Sequence, residues 1–353
     1  MTQTRRRQVP FLLEPGAWVQ RVRGVTKPKL AVFWASSCGG CEVSVLNLHD
    51  KLLLLEQFFD LVFCPCLLDT KKRDVEAMAD LSIDVTLFNG AIRTSENVEM
   101  AHLMRRKSRV LVAYGACAAD GGIPALSNLH TREAHFRDIY LDNASTENPA
   151  GVLPQRRTPV PEGELELPEF LDRVRRLGDI VPVDCVLPGC PPESDSLWRV
   201  LESLIQGVAL PPPGSVLGGA CSTVCHTCTR RKENKSIKRF YRTYEIVTDP
   251  ERCLLEQGLV CMGIATRDGC GALCPKVNMP CTGCYGAPEG TADQGAGMIS
   301  ALGSVLDVGA YKGLSEEQLV ENTERVMAGI ADPAGLWYKY SLAGSKLQAK
   351  RAK

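Results

Sequence analysis

An excess of either charge is missing from this sequence: 41 lysines and arginines balance 41 aspartates and glutamates over 353 residues. The electrostatic footprint of a nucleic-acid-binding domain is therefore absent. Long apolar runs are missing as well. The longest, around Leu61 to Leu68, is strand-sized and well short of the roughly 18 residues that a bilayer span needs. No GxGxxG follows a predicted strand and no GxxxxGK(S/T) phosphate loop occurs, which removes the local signatures of dinucleotide and nucleotide binding. Repeats, heptads and low-complexity tracts are also lacking. At the N-terminus, Arg5-Arg6-Arg7 and Phe11-Leu12-Leu13 resemble the opening of a twin-arginine export signal, but Glu14-Pro15-Gly16 cut the apolar stretch short. Neither an h-region nor a small-residue cleavage site is left. Residues 1–27 are therefore expected to form a solvated arm, and the chain to be cytoplasmic.

What is abundant is cysteine, at sixteen residues. A disulfide scaffold suits short secreted chains, whereas a chain of this length with 44% apolar residues buries enough surface to need no staples. Metal or cluster ligation is the stronger reading, and a reducing cytoplasm keeps thiols available for it. Placement is uneven, with seven cysteines in residues 1–220 and nine between Cys221 and Cys284. At about 150 residues per domain, the length suggests two domains.

Strands are expected at Lys29 to Ala35, Asp60 to Leu68, Asp84 to Asn89, Arg109 to Tyr114 and Val181 to Leu187, with helices at Glu42 to Phe58, Thr94 to Arg106 and Glu193 to Gln206. Near-continuous apolar strands in this alternation predict a doubly wound parallel α/β sheet with right-handed crossovers. Residues 121–180 are polar and proline-bearing, an insertion with one amphipathic helix expected near Glu166 to Leu177. Leu210-Pro211-Pro212-Pro213-Gly214 is a stiff break. It separates a first domain over 28–210 from a cysteine-rich one over 211–290. The second has few predicted elements and too little apolar sequence for a core of its own, so bound metal is expected to organise it. Helices near Gly295 to Val308 and Glu316 to Ile330, then Trp337-Tyr338-Lys339-Tyr340, make a helical tail over 291–353.

In an open α/β sheet, ligands gather outside the carboxyl ends of the strands. Cys38 and Cys41 follow the first predicted strand, Cys117 the fourth and Cys190 the fifth. Four thiols are thus expected to converge at one edge, with glycines beside each letting the backbone come close. A 4Fe-4S cluster is the natural occupant of such a set, and a structural zinc is the alternative. The second domain offers eight more cysteines. Chain order groups Cys225, Cys228, Cys253 and Cys261 in one set and Cys270, Cys274, Cys281 and Cys284 in another. Interleaving stays open, because two-cluster ferredoxins exchange ligands between motifs. His226 is read as an exposed or hydrogen-bonded ring rather than a ligand. Cys64, Cys66, Cys185 and Cys221 are read as packing residues, with Cys64 and Cys66 on one side of the second strand and Cys185 a substitute for Cys190. The basic run Arg230-Arg231-Lys232, continuing through Lys235, Lys238 and Arg239, is read as a solvated face or as a patch for an acidic redox partner. Glu42, beside Cys41, caps its helix or relays protons.

Five motifs in one order are specific where each alone is weak: SSCGGCE at Ser36 to Glu42, GACAADGG at Gly115 to Gly122, PGCPP at Pro188 to Pro192, TVCHTCTRRK at Thr223 to Lys232, and the cysteine-bearing stretch from Cys253 to Cys284. Over about residues 28–345 the chain resembles the small, electron-transferring subunit of nickel-iron hydrogenases. The resemblance implies a flavodoxin-like sheet domain followed by an irregular iron-sulfur domain. It implies that Cys38, Cys41, Cys117 and Cys190 hold a proximal 4Fe-4S cluster, nearest the nickel-iron centre of a partner large subunit. Cys225, Cys228, Cys253 and Cys261 would hold a distal cluster, where many relatives have histidine in place of Cys225. Cys270, Cys274, Cys281 and Cys284 would hold a medial one, and the additional Cys274 implies 4Fe-4S where membrane-associated relatives have 3Fe-4S.

The implied role is to pass electrons between the partner's nickel-iron site, through dihydrogen oxidation or proton reduction, and an external acceptor, a protein or small redox carrier at the distal cluster. The missing export signal and anchor are similar to the soluble, methyl-viologen-reducing branch, and an actinobacterial-type branch stays open. The nickel-iron site itself belongs to another chain, since the large-subunit pattern needs a histidine after its last CxxC and here the final histidine is His226. The cluster-bearing subunit of respiratory complex I pairs adjacent cysteines and lacks the second cysteine-rich domain, and so is the poorer match. A zinc-stabilised scaffold and an iron-sulfur subunit of another oxidoreductase are the competing readings.

Overall fold

The computed structural model describes residues 27–347 except 207, 209, 210, 234, 235 and 308–311. The expected arm up to residue 26, Leu210 of the proline break, Lys235 of the basic run and the last six residues lie outside the described set. Six strands form a parallel sheet: β1 (Lys29–Trp34), β2 (Asp60–Phe63), β3 (Ile83–Asn89), β4 (Ser108–Tyr114), β5 (Cys185–Leu187) and β6 (Ser215–Val216), in spatial order β6-β5-β4-β3-β1-β2. This is the flavodoxin-like winding, in which the chain switches direction between β1 and β3.

Both faces of the sheet are covered, and the period-2 alternation of each strand feeds two cores. Leu30, Val32, Leu87 and Val112 pack on one side against Leu55, Leu197 and Leu201 of the helices Lys51–Phe58 and Ser194–Ile205. On the other, Ala31, Phe33, Phe88 and Leu111 meet Met100, Leu103 and Met104 of the helix Ser95–Lys107. That helix begins where Thr94 Oγ1 accepts from Asn97 N, and it ends on Arg105, Arg106 and Lys107, charges that suit its negative terminus.

Several expectations are corrected. The helix expected over Glu42 to Phe58 is two, Gly40–Leu46 and Lys51–Phe58, parted by a turn in which His49 has φ 53°. β2 stops at Phe63, and Cys64 lies in the turn that follows, its carbonyl accepting from Leu67 and Leu68 N–H. Pro65 cannot donate to a ladder. Cys64 is therefore buried and Cys66 exposed, not side by side on a strand. No helix forms over Glu166 to Leu177. Arg157–Val160 and Gly163–Glu166 make an exposed hairpin, and Phe170–Arg175 pairs antiparallel with Ile92–Thr94. Pro168 breaks any helix there, while the edge at Ile92 offers backbone partners. β5 begins only at Cys185, beyond Pro182.

Residues 221–290 hold short helices at Val224–Thr227 and Leu273–Lys276, a 3₁₀ turn at Met262–Ala265 and single bridges such as Tyr241↔Leu259. They do reach an apolar core, contrary to expectation, because the tail shares it. Val224, Phe240, Leu254, Leu259 and Met262 pack with Met298, Leu302, Val326, Trp337 and Tyr338. The tail helices are Gln294–Val305, Glu316–Met327 and Pro333–Trp337. Gly295 allows a close approach: a Cβ there would lie 2.2 Å from the Tyr338 ring. Among the described residues no helix is long and apolar enough to cross a membrane.

Candidate metal centres

The carboxyl ends of β1, β4 and β5 open on one edge, and the first four candidate thiols stand there. Gly39, at φ 83°, turns the chain from β1 into the helix carrying Cys41, so that Cys38 precedes the helix and Cys41 faces inward. Cys41 Sγ lies 3.8 Å from Tyr114 O, and Tyr114 Oη donates to Cys41 O at 3.2 Å. Backbone crowds the sulfurs. A Cβ at Gly115 would stand 2.5 Å from Cys41 Sγ, and one at Gly122 would stand 2.5 Å from Cys117 Sγ. Ala116 N–H donates to Gly189 O at 2.8 Å, which ties the Cys117 loop to the Cys190 loop. Cys117 feels the charges of Cys190 and Cys38, and Cys41 those of Cys117, Cys190 and Cys38. The four are thus mutual neighbours.

The second group surrounds a small cavity lined by Cys225, Cys228, Cys253 and Cys261, with Gly263 beneath. A Cβ at Gly263 would meet Cys225 Sγ at 3.4 Å and Cys261 Sγ at 3.7 Å. Arg230 belongs to this wall and corrects the reading of the basic run as a solvated face. It is 8% exposed, and its guanidinium donates to the carbonyls of Pro275, Asp249 and Arg252 and to Asn278 Oδ1. Two loops, 249–252 and 275–278, are pinned by one side chain. Arg231 pairs with Glu233 and Glu251, and Lys232 Nζ donates to Cys225 O at 2.9 Å. His226 is exposed.

The third group is less enclosed. Cys274 is exposed on the helix Leu273–Lys276, Cys281 is buried, and Cys270 and Cys284 are half-buried. Cys270 and Cys274 both act on Cys284, and Cys284 acts on Cys281. Two contacts join the groups. Cys190 N–H donates to the Cys284 sulfur, and Cys281 N–H donates to Cys261 Sγ at 3.3 Å. Tyr340 Oη donates to the Cys190 sulfur and Lys339 lies close by. The aromatic end of the tail had pointed to these two only as a cluster of rings, since nothing in sequence spacing ties residue 340 to residue 190.

Burial pushes the thiols up, with neighbouring thiolates adding to it: Cys117 and Cys225 to about 12, Cys284 to about 12, and Cys41 and Cys281 in the same direction. Burial also raises Cys261, to about 11, against opposing hydrogen bonds from Gly263 and Cys281 N–H. Such thiols ionise only with a cation at hand, and a metal centre supplies one while releasing their protons. All sixteen cysteines are free. Among the described residues no three His, Cys, Asp or Glu side chains gather tightly enough for a single ion. Most of these thiols are buried or half-buried and several are crowded by glycine backbone, a donor set that suits an inorganic group bound through several sulfurs.

Glu42 accepts from Asn89 Nδ2, its Oε2 is buried without a partner, and burial raises its pKa. Cys185 lies inside the sheet, paired with Val112 and Ser215, three residues before the strand end passes into Gly189-Cys190. Cys221 is exposed beside Glu289.

A family model described as NADH ubiquinone oxidoreductase, 20 Kd subunit, matches residues 38–204. The iron-sulfur subunit of the F420-non-reducing hydrogenase of Archaeoglobus profundus is 40% identical over 328 residues, covering 91% of this chain and 98% of that protein. The corresponding subunit of the F420-non-reducing hydrogenase of Methanothermobacter marburgensis is 35% identical over 327 residues, covering 92% and 97%. Among solved structures, a chain of an NAD+-reducing nickel-iron hydrogenase in the H2-reduced state is 32% identical over 53% of this chain and 96% of that one, with a TM-score of 0.45.

Proposed function

Because the chain belongs to the family of hydrogenase iron-sulfur subunits, as the small subunit of a nickel-iron hydrogenase whose nickel-iron site lies on another chain, we propose that it carries electrons between that site and an external acceptor. Three 4Fe-4S clusters would be held by Cys38, Cys41, Cys117 and Cys190 (proximal), by Cys270, Cys274, Cys281 and Cys284 (medial), and by Cys225, Cys228, Cys253 and Cys261 (distal). The sheet region over 28–210 would carry the first, and the region over 211–290 the other two. One observation supports this reading above the rest. The contact from Cys190 to Cys284 and that from Cys281 to Cys261 link the three groups in the order proximal, medial, distal. Bound clusters would supply one-electron carriage at each station.

The chain's own residues set the conditions. Backbone N–H groups of Ile123, Gly263 and Gly283 donate to the sulfurs of Cys117, Cys261 and Cys281. Hydrogen bonds to sulfur and exclusion of water are the protein's means of tuning a reduction potential. Tyr340 and Lys339 do the same for Cys190, and Arg230 holds the distal wall against the medial loop. The acceptor, a protein or small redox carrier, would meet the distal group beside exposed His226. Free thiols throughout agree with a cytoplasmic setting.

The test is electron paramagnetic resonance of the anaerobically purified heteromeric enzyme. Cys274→Ser is expected to change the medial signal alone. An unchanged spectrum would remove Cys274 from the ligand set, and a protein that holds zinc without iron or sulfide would overturn the redox role.

A further inference from the structure

A cleft of about 780 Å³ lies away from the thiols, in the inserted segment 121–180. Its floor is the 3₁₀ turn Ile123–Leu129 and the strand Phe170–Arg175; one wall is the helix Arg132–Arg137 with the turn after it. These parts are bonded to one another rather than loosely apposed. Asn128 Nδ2 donates to Val174 O at 2.9 Å and its Oδ1 accepts from Val174 N at 2.8 Å. His135 Nε2 stands 2.7 Å from Ser127 O, and Arg132 Nη1 donates to Phe170 O at 3.2 Å. The cavity is preformed and within the usual size of a small-molecule site.

Arg93 decides its chemistry. The residue is 6% exposed, yet among the described residues no carboxylate lies within 4.0 Å of its guanidinium. What it has is a 3.3 Å hydrogen bond to Asp172 O and the Phe170 ring, whose centroid is 4.0 Å from its Cζ. Burial pulls its pKa below the usual arginine range, and the more distant Asp172 charge offsets only part of that pull. A buried cation with no anion in contact is costly, and an incoming anion would relieve that cost. Arg132 and Arg156 also line the cleft: Arg132 is held by Glu133 at 2.9 Å and by Phe170 O, whereas Arg156 has only long contacts, 3.6 Å to Glu166 and 3.8 Å to Glu169, loose enough to turn toward a ligand. The opposite quality comes from rings: Phe136 lies 5.5 Å from Phe170 and 6.1 Å from Tyr140, centroid to centroid.

We propose that this cleft binds a planar aromatic anion of the nucleoside monophosphate class, its ring against Phe136 and Phe170 and its phosphate on Arg93. Arginine forks take phosphate side-on, so the missing glycine-rich phosphate loop is no obstacle. The proposal stands whether or not the cluster assignment does, because no thiol lines the cleft.

Equilibrium binding to the intact hydrogenase complex tests it with three probes: adenosine monophosphate, adenosine and inorganic phosphate. The monophosphate is expected to bind at least tenfold more tightly than either fragment. Arg93→Met should weaken it tenfold or more and leave adenosine binding as it was. Arg156→Gln, at a half-exposed rim position, should weaken it by a smaller factor while hydrogen-dependent dye reduction stays unchanged. The proposal is overturned by a monophosphate that binds no better than its fragments, or by wild-type affinity in both variants.

Discussion

Leu87 in β3 lies between two hydrogen-bonded neighbours, Val32 and Val112, and belongs to an unbroken parallel ladder. Leu259, also buried, sits in a stretch joined to its surroundings by isolated backbone contacts, such as the bridge to Tyr241 and the bond from Met262 N–H to Cys281 O, rather than by a ladder. The sheet region has its own cores on both faces, built from its own strands and helices. The cysteine region borrows its core from the tail and places Cys261 and Cys281 inside it. One region makes its shape from backbone pairing and apolar burial. On the proposed reading, the other leaves part of that task to the clusters its thiols would hold.

Removing those clusters should therefore separate the two. Anaerobic chelation of the enzyme is expected to lower amide protection within 221–290 by about a thousandfold, roughly 4 kcal/mol, while β1, β3 and β4 keep theirs. Equal loss in both regions, read by hydrogen exchange with mass spectrometry, would break the comparison. Leu111→Ala probes the opposite side. It should cost about 3 kcal/mol through the cavity it leaves, and the purified variant should keep a full iron complement.

Asp120 stands where the regions meet. A Cβ on Gly286 would come 2.8 Å from its Oδ2, and Arg176 and Arg267 are its charged neighbours. Burial pushes its carboxyl up to about 6 against the pull of both arginines. A pKa raised on folding means that the native state binds the extra proton, so this stabilisation is present below about pH 4 and lost as the pH rises through 6. Asp120→Asn removes that titration. Its unfolding free energy should fall less than the wild type's between pH 4 and 7, by about 2 kcal/mol, in denaturant titrations at each pH. Smallest of all is Cys66→Ser. The side chain is exposed in the turn after β2, and its loss should shift stability by less than about 0.5 kcal/mol without lowering iron content.

The sheet was legible because its strands, buried on both faces, read as apolar runs, and because cysteines followed three of them. The motif order identified the family as well. Less legible were features decided by distant partners. Phe170–Arg175 looks amphipathic in isolation, and only the edge of Ile92–Thr94 makes it a strand. Arg230 reads as one member of a basic run, and only folding shows the three carbonyls that it satisfies. The core of the cysteine region was hidden because much of it comes from elsewhere, Met298 to Leu342 in the tail and Ala91, Cys117, Ala125 and Val174 in the first domain. Local spacing carries the candidate ligands; it does not carry what surrounds them.

Three four-thiol groups, each filled by a cube, are the central claim. Iron and acid-labile sulfide, measured per chain in the anaerobically purified enzyme after subtraction of the partner's metals, should each come to about twelve. About eight of each, or zinc in their place, would contradict it.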